Sequence, residues 1–195
     1  MKPIILASQS PRRKELLTQL IGPTAFQCIP SQSEETFLPG DLDEALLHVA
    51  KAKGLEIYAK HSDALVLSAD TIVVDGETIL GKSKSKQEAF ETLKRLSNRD
   101  HLVKTGLILL GGQSPKQMVV TTKVHFRGLS DEEIKAYVQE GSCLDKAGSY
   151  GIQDTNFVQS LDGSYSNVVG LPLYEVSTWL DQEGWPLLNH PTPMD

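Results

Sequence analysis

The chain has 195 residues, 39% apolar and 23% charged, with a formal net charge of −6 and a pI near 5.4. That composition excludes a fibre or a wholly disordered chain, and the acidic balance argues against a nucleic-acid binder, which needs a basic surface. Residues 1–100 carry 13 basic against 14 acidic side chains and residues 101–195 carry 6 against 11, so a small anionic ligand can still meet a local positive field in the first half. One large domain or two small ones fit this length, with a folded surface of roughly 9,100 Å². Cys28 and Cys143 are too sparse for a disulfide framework or a zinc site and read as reduced thiols. No apolar run approaches the ~20 residues of a membrane span, and the apolar patch at residues 4–7 is too short for a signal peptide. The cytoplasm is the expected compartment.

Ile4-Ile5-Leu6-Ala7 is a continuous apolar run and reads as a buried strand. Ser8-Gln9-Ser10-Pro11 follows, with Pro11 suited to the first turn of a helix. That helix carries Leu16, Leu17 and Leu20 on one face and stops near Gly22-Pro23. Residues 26–29 read as a short strand and residues 31–40 as an acidic loop. Asp41 caps a long helix with Ala45, Leu46, Val49 and Ala50 inward. Residues 64–67 read as a second buried strand ending at Ser68-Ala69-Asp70, and residues 71–74 as a separate strand. Asp75-Gly76 signals a hairpin, with residues 78–80 pairing back. Ser85 and Glu88 have capping-box spacing, as do Ser130 and Glu133, each opening a helix; the second stops at Gly141. Residues 102–110 and 118–126 are long strands around a turn that begins at Gly111-Gly112. Residues 156–161 form a strand, residues 163–172 a loop and residues 171–180 the last helix. Residues 186–195 are expected to be a disordered tail after a domain spanning residues 1–185. Alternating helices and strands with antiparallel hairpins predict an α/β fold: one domain, with a central mixed sheet flanked by helices.

Several segments carry chemistry. Ser8-Gln9-Ser10-Pro11-Arg12-Arg13 sets hydroxyls and guanidiniums at a strand-to-helix junction, where backbone N–H groups bind anions. The alternative there is a cap serine with solvated arginines. Asp70, read as lying at the end of a buried strand, has the position of an acid that holds Mg²⁺ or activates water; otherwise it turns a loop. Glu34-Glu35 and Lys51/Lys53 offer a chelating pair and phosphate-neutralising ammoniums, or else surface decoration. Two glycines and an aromatic in Asp145-Lys146-Ala147-Gly148-Ser149-Tyr150-Gly151-Ile152-Gln153 suggest backbone that closely approaches a ligand. The Gln153 amide can read a nucleobase edge. Gly76-Glu77-Thr78-Ile79-Leu80-Gly81-Lys82-Ser83 fits the P-loop pattern letter for letter. Its apolar, strand-like interior and the hairpin at Gly76 argue against a true P-loop, while Lys82 can still reach a phosphate. The five histidines show no metal spacing and read as surface or core residues.

Residues 6–17, Ser68-Ala69-Asp70-Thr71, Gly81-Lys82, residues 145–153 and residues 163–172 together resemble, in order, the signature blocks of the Maf family of nucleoside triphosphate pyrophosphatases. The resemblance spans about residues 3–180. It implies an elongated α/β fold with a central substrate cleft, shared with inosine triphosphate pyrophosphatases. It also implies hydrolysis of a nucleoside triphosphate to the monophosphate and pyrophosphate with a divalent cation, Mg²⁺ or Mn²⁺. The family's proton acceptor falls on Asp70, its metal-binding carboxylates on Glu35 and Asp70, and its phosphate-binding residues on Ser8, Arg13, Lys53 and Lys82. Arg12, Thr71 and Gln153 match the branch acting on dTTP and UTP and differ from the branch acting on 7-methyl-GTP. The implied partner is a small-molecule nucleotide, with no nucleic acid and no membrane; a homodimer stays open. The chain departs from the family pattern at Gly54, where alanine is usual, at Ser68, where glycine is commoner, at Ser83, where proline is usual, and at Asp154, often glycine. Two other readings remain: a P-loop NTPase or kinase using residues 76–83, and a non-catalytic nucleotide-binding regulator of cell division.

Overall fold

Ile4 to Ala7 and Ala64 to Leu67 are apolar at every position, and each of these side chains is buried. Strands covered on both faces read this way. β1 (Ile4–Leu6) lies parallel between β2 (Phe26–Cys28) and β3 (Leu65–Asp75). β5 (Asp100–Leu110), β6 (Lys116–Phe126) and β7 (Val158–Asp162) extend the sheet antiparallel beyond β3. β4 (Thr78–Leu80) folds back on β3, completing a seven-stranded mixed sheet in the order β2-β1-β3-β5-β6-β7. This is a computed structural model, and it describes residues 1–33 and 36–194.

β3 is one continuous strand, not the two separate strands expected from its polar middle. The polar residues do not break it because the helix above satisfies them. Ser68 Oγ donates to Ala50 O at 2.7 Å, and Lys53 Nζ donates to Asp70 Oδ1 at 2.6 Å. β5 pairs along β3 from Val66 to Val74 without interruption. Asp70 therefore lies inside a strand, and the expectation that it ends one is corrected.

α2 (Leu42–Tyr58) covers one face of the sheet, where Ser68, Ile72 and Val74 point. The other face carries two cores. α1 (Pro11–Ile21) and α6 (Leu173–Gln182) pack on Leu67, Ala69, Leu107 and Leu109. α3 (Lys86–Leu96) and α4 (Asp131–Glu140) pack on Val73, Val103, Val124 and Phe126. The caps follow the sequence signals. Asp41 accepts from Glu44 N, and Ser130 and Glu133 form the full reciprocal box. Ser85 accepts from Glu88 N, but the Glu88 carboxylate takes Lys84 N instead of closing the second half. α5 (Tyr165–Val169), inside the expected loop, is too short to show a hydrophobic period; its cap is Ser164, accepting from Asn167 N. A 3₁₀ turn occupies Ser142–Asp145.

The P-loop match is not built as a phosphate loop. Gly76 has φ 62° in the β3–β4 hairpin, Thr78–Leu80 is strand, and the next helix starts at Lys86. Near the C-terminus, Leu188 N donates to Leu20 O and Asn189 Nδ2 to Gln19 O. Among the described residues no helix is long and apolar enough to cross a membrane. The accessible surface is 9529 Å².

The sheet leaves a gap. β5 occupies one edge of β3, so β1 and β4 share the other. β1 ends opposite Leu67 and β4 ends, at Leu80, opposite Val73, leaving the edge at residues 68–72 open. Asp70 is at the centre of that opening.

Candidate active site

A cleft of about 820 Å³ opens at the gap. Successive strand residues face opposite sides, so Asp70 meets α2 while Thr71 meets the α1–α5 side. Lys53 reaches Asp70 because it continues the buried α2 stripe of Leu46, Val49 and Ala50 at helical spacing. Gly106, paired with Asp70 across β5, permits the close approach of α2: a Cβ there would lie 3.1 Å from Leu46 O. The Asp70 side chain and the Lys53 side chain are both largely withdrawn from solvent, which strengthens the pair relative to a surface one.

On the other side, Arg13 Nε donates to Gly170 O at 2.7 Å and its Nη2 donates to Thr71 Oγ1 at 3.0 Å. Thr71 Oγ1 also lies 2.9 Å from Thr105 Oγ1. Ser8 is buried, and its Oγ accepts from Ser10 N at 3.1 Å. The α1 N-terminus lines the cleft with no acidic residue in its first turn, an arrangement that favours an anion.

The third wall is the segment after the 3₁₀ turn. Arg12 Nη1 lies 3.6 Å from Asp145 Oδ2 across the cleft mouth. Burial pushes the Asp145 carboxyl up, but the neighbouring Lys146 ammonium and the Arg12 guanidinium more than offset this and hold it below its usual range. Gly148 N donates to Leu80 O and Gly81 O, and Lys82 bridges to Ala147, so the exposed Lys82 is carried to the cleft by backbone pairing. Gln153 is exposed at the same wall. The departure at Ser83 is absorbed locally: its Oγ lies 2.6 Å from Ser149 Oγ, and both residues are buried.

Ser8, Arg12, Arg13, Lys53, Asp70, Thr71, Lys82 and Gln153 thus line one cleft, though residues 8 to 153 are scattered along the chain. Glu35, the other expected metal ligand, and Glu34 lie outside the described residues. Lys51 is exposed and does not line the cleft. Sequence reading assigned nothing to the Gly170 carbonyl or to Asp145 and Lys146 individually. The Arg13–Gly170 and Arg12–Asp145 contacts join residues distant in sequence, while Lys146 pairs within its own segment, where the only signal was a charged pair opening a glycine-rich stretch.

A carboxylate in a sheet gap, ringed by cationic side chains and a helix N-terminus, defines an α/β protein that handles a phosphorylated small molecule. The model of the family described as Maf-like protein matches residues 3–183, and the chain belongs to the Maf family. It is 47% identical to a dTTP/UTP pyrophosphatase of Halalkalibacterium halodurans over 176 residues, covering 89% of this chain and 92% of that one. It is 44% identical to a dTTP/UTP pyrophosphatase of Methanosarcina barkeri over 189 residues, covering 94% and 95%. It is 41% identical to a dTTP/UTP pyrophosphatase of Thermococcus kodakarensis over 189 residues, covering 95% and 99%.

Proposed function

We propose that this Maf protein hydrolyses dTTP and UTP to the monophosphate and pyrophosphate in the cytoplasm. The observation that carries the reading is the Asp70–Lys53 pair, 2.6 Å apart, in the open edge of β3 within a cleft lined by Arg12, Arg13 and Lys82. The names of the relatives support the substrate.

Water attacks the α-phosphorus in line with the leaving pyrophosphate. Lys53 holds Asp70 Oδ1 and so fixes the rotation of the carboxylate, and Asp70 accepts the proton of the water. Arg13, Lys53 and Lys82 face the charge developing on the leaving group. The Ser8 hydroxyl and the α1 N-terminus hold the remaining phosphate oxygens. Arg12 and Gln153 read the pyrimidine edge, whose O4, N3–H and O2 alternate acceptor and donor. The Thr71 hydroxyl is taken up by Arg13 and Thr105, so it orients the Arg13 guanidinium, and its place among the specificity residues rests on the resemblance alone.

A divalent cation fits the donor set. Among the described residues no three His, Cys, Asp or Glu cluster, but Mg²⁺ needs only one or two carboxylates plus substrate phosphates. Asp70 supplies one such hard oxygen ligand, and Glu35 is proposed as the other. When bound, the ion neutralises and aligns triphosphate oxygens.

The test is a nucleotide panel with phosphate detection, run with and without added inorganic pyrophosphatase. UTP and dTTP should yield monophosphate, with a phosphate signal only when the coupling enzyme is present. Orthophosphate released directly would overturn the pyrophosphatase reading. Nucleotide binding without monophosphate would leave a regulator.

A further inference from the structure

In the proposed reading, the two residues that touch the base come from opposite walls: Arg12 from the start of α1 and Gln153 from the segment after the 3₁₀ turn. A buried lysine connects them. Lys146 is 6% exposed, and its ammonium donates to the Ser142 carbonyl. Its Nζ lies 3.1 Å from Asp145 Oδ1 and 3.4 Å from Asp154 Oδ2. A buried ammonium is tolerated only with such partners, so the lysine draws both of these more exposed carboxylates toward it.

Each carboxylate then fixes one side of the base site. The second oxygen of Asp145 faces Arg12 Nη1 at 3.6 Å. Asp154 directly follows Gln153, and its N–H closes a turn onto Gly151 O at 3.0 Å. Its carboxylate packs against the bare Cα of Gly151: a Cβ there would meet Asp154 Oδ2 at 2.5 Å and Lys146 Cε at 2.9 Å. Gly151 N is tied in turn to Tyr137 Oη at 3.1 Å.

We propose that Lys146 is a positioning residue for pyrimidine recognition: it clamps Asp145, which holds Arg12, and Asp154, which fixes the turn presenting Gln153. This deepens the dTTP/UTP reading and rests on it. The clamp touches neither the phosphates nor Asp70, so its loss acts on base binding more than on turnover.

Steady-state kinetics of the full chain test this, with UTP and dTTP as matched probes and CTP as the mismatched base. Lys146→Met and Asp154→Asn should each raise KM for UTP and dTTP about tenfold while kcat stays within about threefold, a loss of binding rather than of transition-state stabilisation alone. The UTP-to-CTP ratio of kcat/KM should fall by about tenfold, since discrimination depends on held polar groups. Asp154→Glu should recover most of that ratio. Lys146→Met leaves carboxylates without their partner and can unfold. Asp154→Asn avoids that, because its side chain is 42% exposed and keeps its shape. An Asp154→Asn variant whose UTP-to-CTP ratio stays at the wild-type value overturns the clamp alone. A wild-type chain that turns over neither UTP nor dTTP overturns the substrate reading, and the clamp with it.

Discussion

Asp70 and Lys53 form a close pair in a site that also needs to move a proton and bear a polyanion. Asp70→Asn keeps the shape and the contact with Lys53 Nζ but removes the proposed proton acceptor. Its kcat for UTP should fall on the order of 10²-fold or more, measured at saturating substrate; an undiminished kcat would reject Asp70 as the base. His101 shows the opposite case, a titratable side chain placed for packing. It is 2% exposed, with its ring edge-on to Phe126 and its Nε2 2.8 Å from Tyr150 Oη. Burial pushes its pKa down to about 4, opposed by the Asp75 and Asp100 carboxylates and reinforced by His125. The unfolded chain takes up that proton near pH 6.5 and the folded chain only near pH 4. Stability is therefore fully present above about 6.5 and is lost as pH falls to about 4, by about 3 kcal/mol. His101→Gln should remove that increment from the difference between urea unfolding free energies at pH 7 and pH 4. A variant difference as large as the wild-type one would refute the assignment. Nothing near His101 in sequence marked it as buried, because its ring neighbours Phe126 and Tyr150 arrive from β6 and the 145–153 segment. Asp70 and Lys53 were legible as candidates from residue type and position, whereas their ion pair depended on how closely α2 approaches the sheet.

At the scale of elements, β3 and α2 fit together through one small residue and one hydroxyl, Gly54 and Ser68. A Cβ added at Gly54 would lie 2.6 Å from Ser68 Oγ, which is itself held by Ala50 O. The hydroxyl occupies the space a methyl would fill. Gly54→Ala alone should therefore destabilise by about 1–3 kcal/mol through overpacking. In a Ser68→Gly background the clash is gone, and the same change should stabilise by about 0.5–1 kcal/mol, the helix-interior penalty of glycine. Denaturant midpoints of the two singles and the double decide it; the same sign in both backgrounds would show that the two sites are independent. The same pair explains a limit of sequence reading. α1, α2, α3 and α4 were legible because caps and apolar periods are local signals. The Ser68-Ala69-Asp70 stretch looked like a strand end because its polar groups are satisfied by a helix that lies elsewhere in the chain. α5 escaped because five residues do not make a period.

At the scale of the molecule, the cleft lies where the α1–α6 core and the α3–α4 core meet, and Ile152, beside Gln153, packs against both. An anion approaching this site meets two fields of opposite sign. The whole chain carries −6, while Arg12, Arg13, Lys53 and Lys82 line the cleft. The uneven charge of the two halves was visible in the sequence; that these four side chains converge was not, since Lys82 arrives through the hairpin and its pairing with Ala147. Range separates the two fields. The Debye length is about 8 Å at 0.15 M salt and about 3 Å at 1 M. Long-range repulsion from the net charge is largely screened already at 0.15 M, whereas contacts inside the cleft are not. Raising sodium chloride from about 0.15 M to about 1 M should then lower kcat/KM for UTP severalfold by weakening the local attraction. kcat at saturation should hold, because at saturating UTP the rate no longer depends on capture of the nucleotide. A kcat/KM that rises over that range would mean that the acidic surface, and not the cleft, governs capture of the nucleotide.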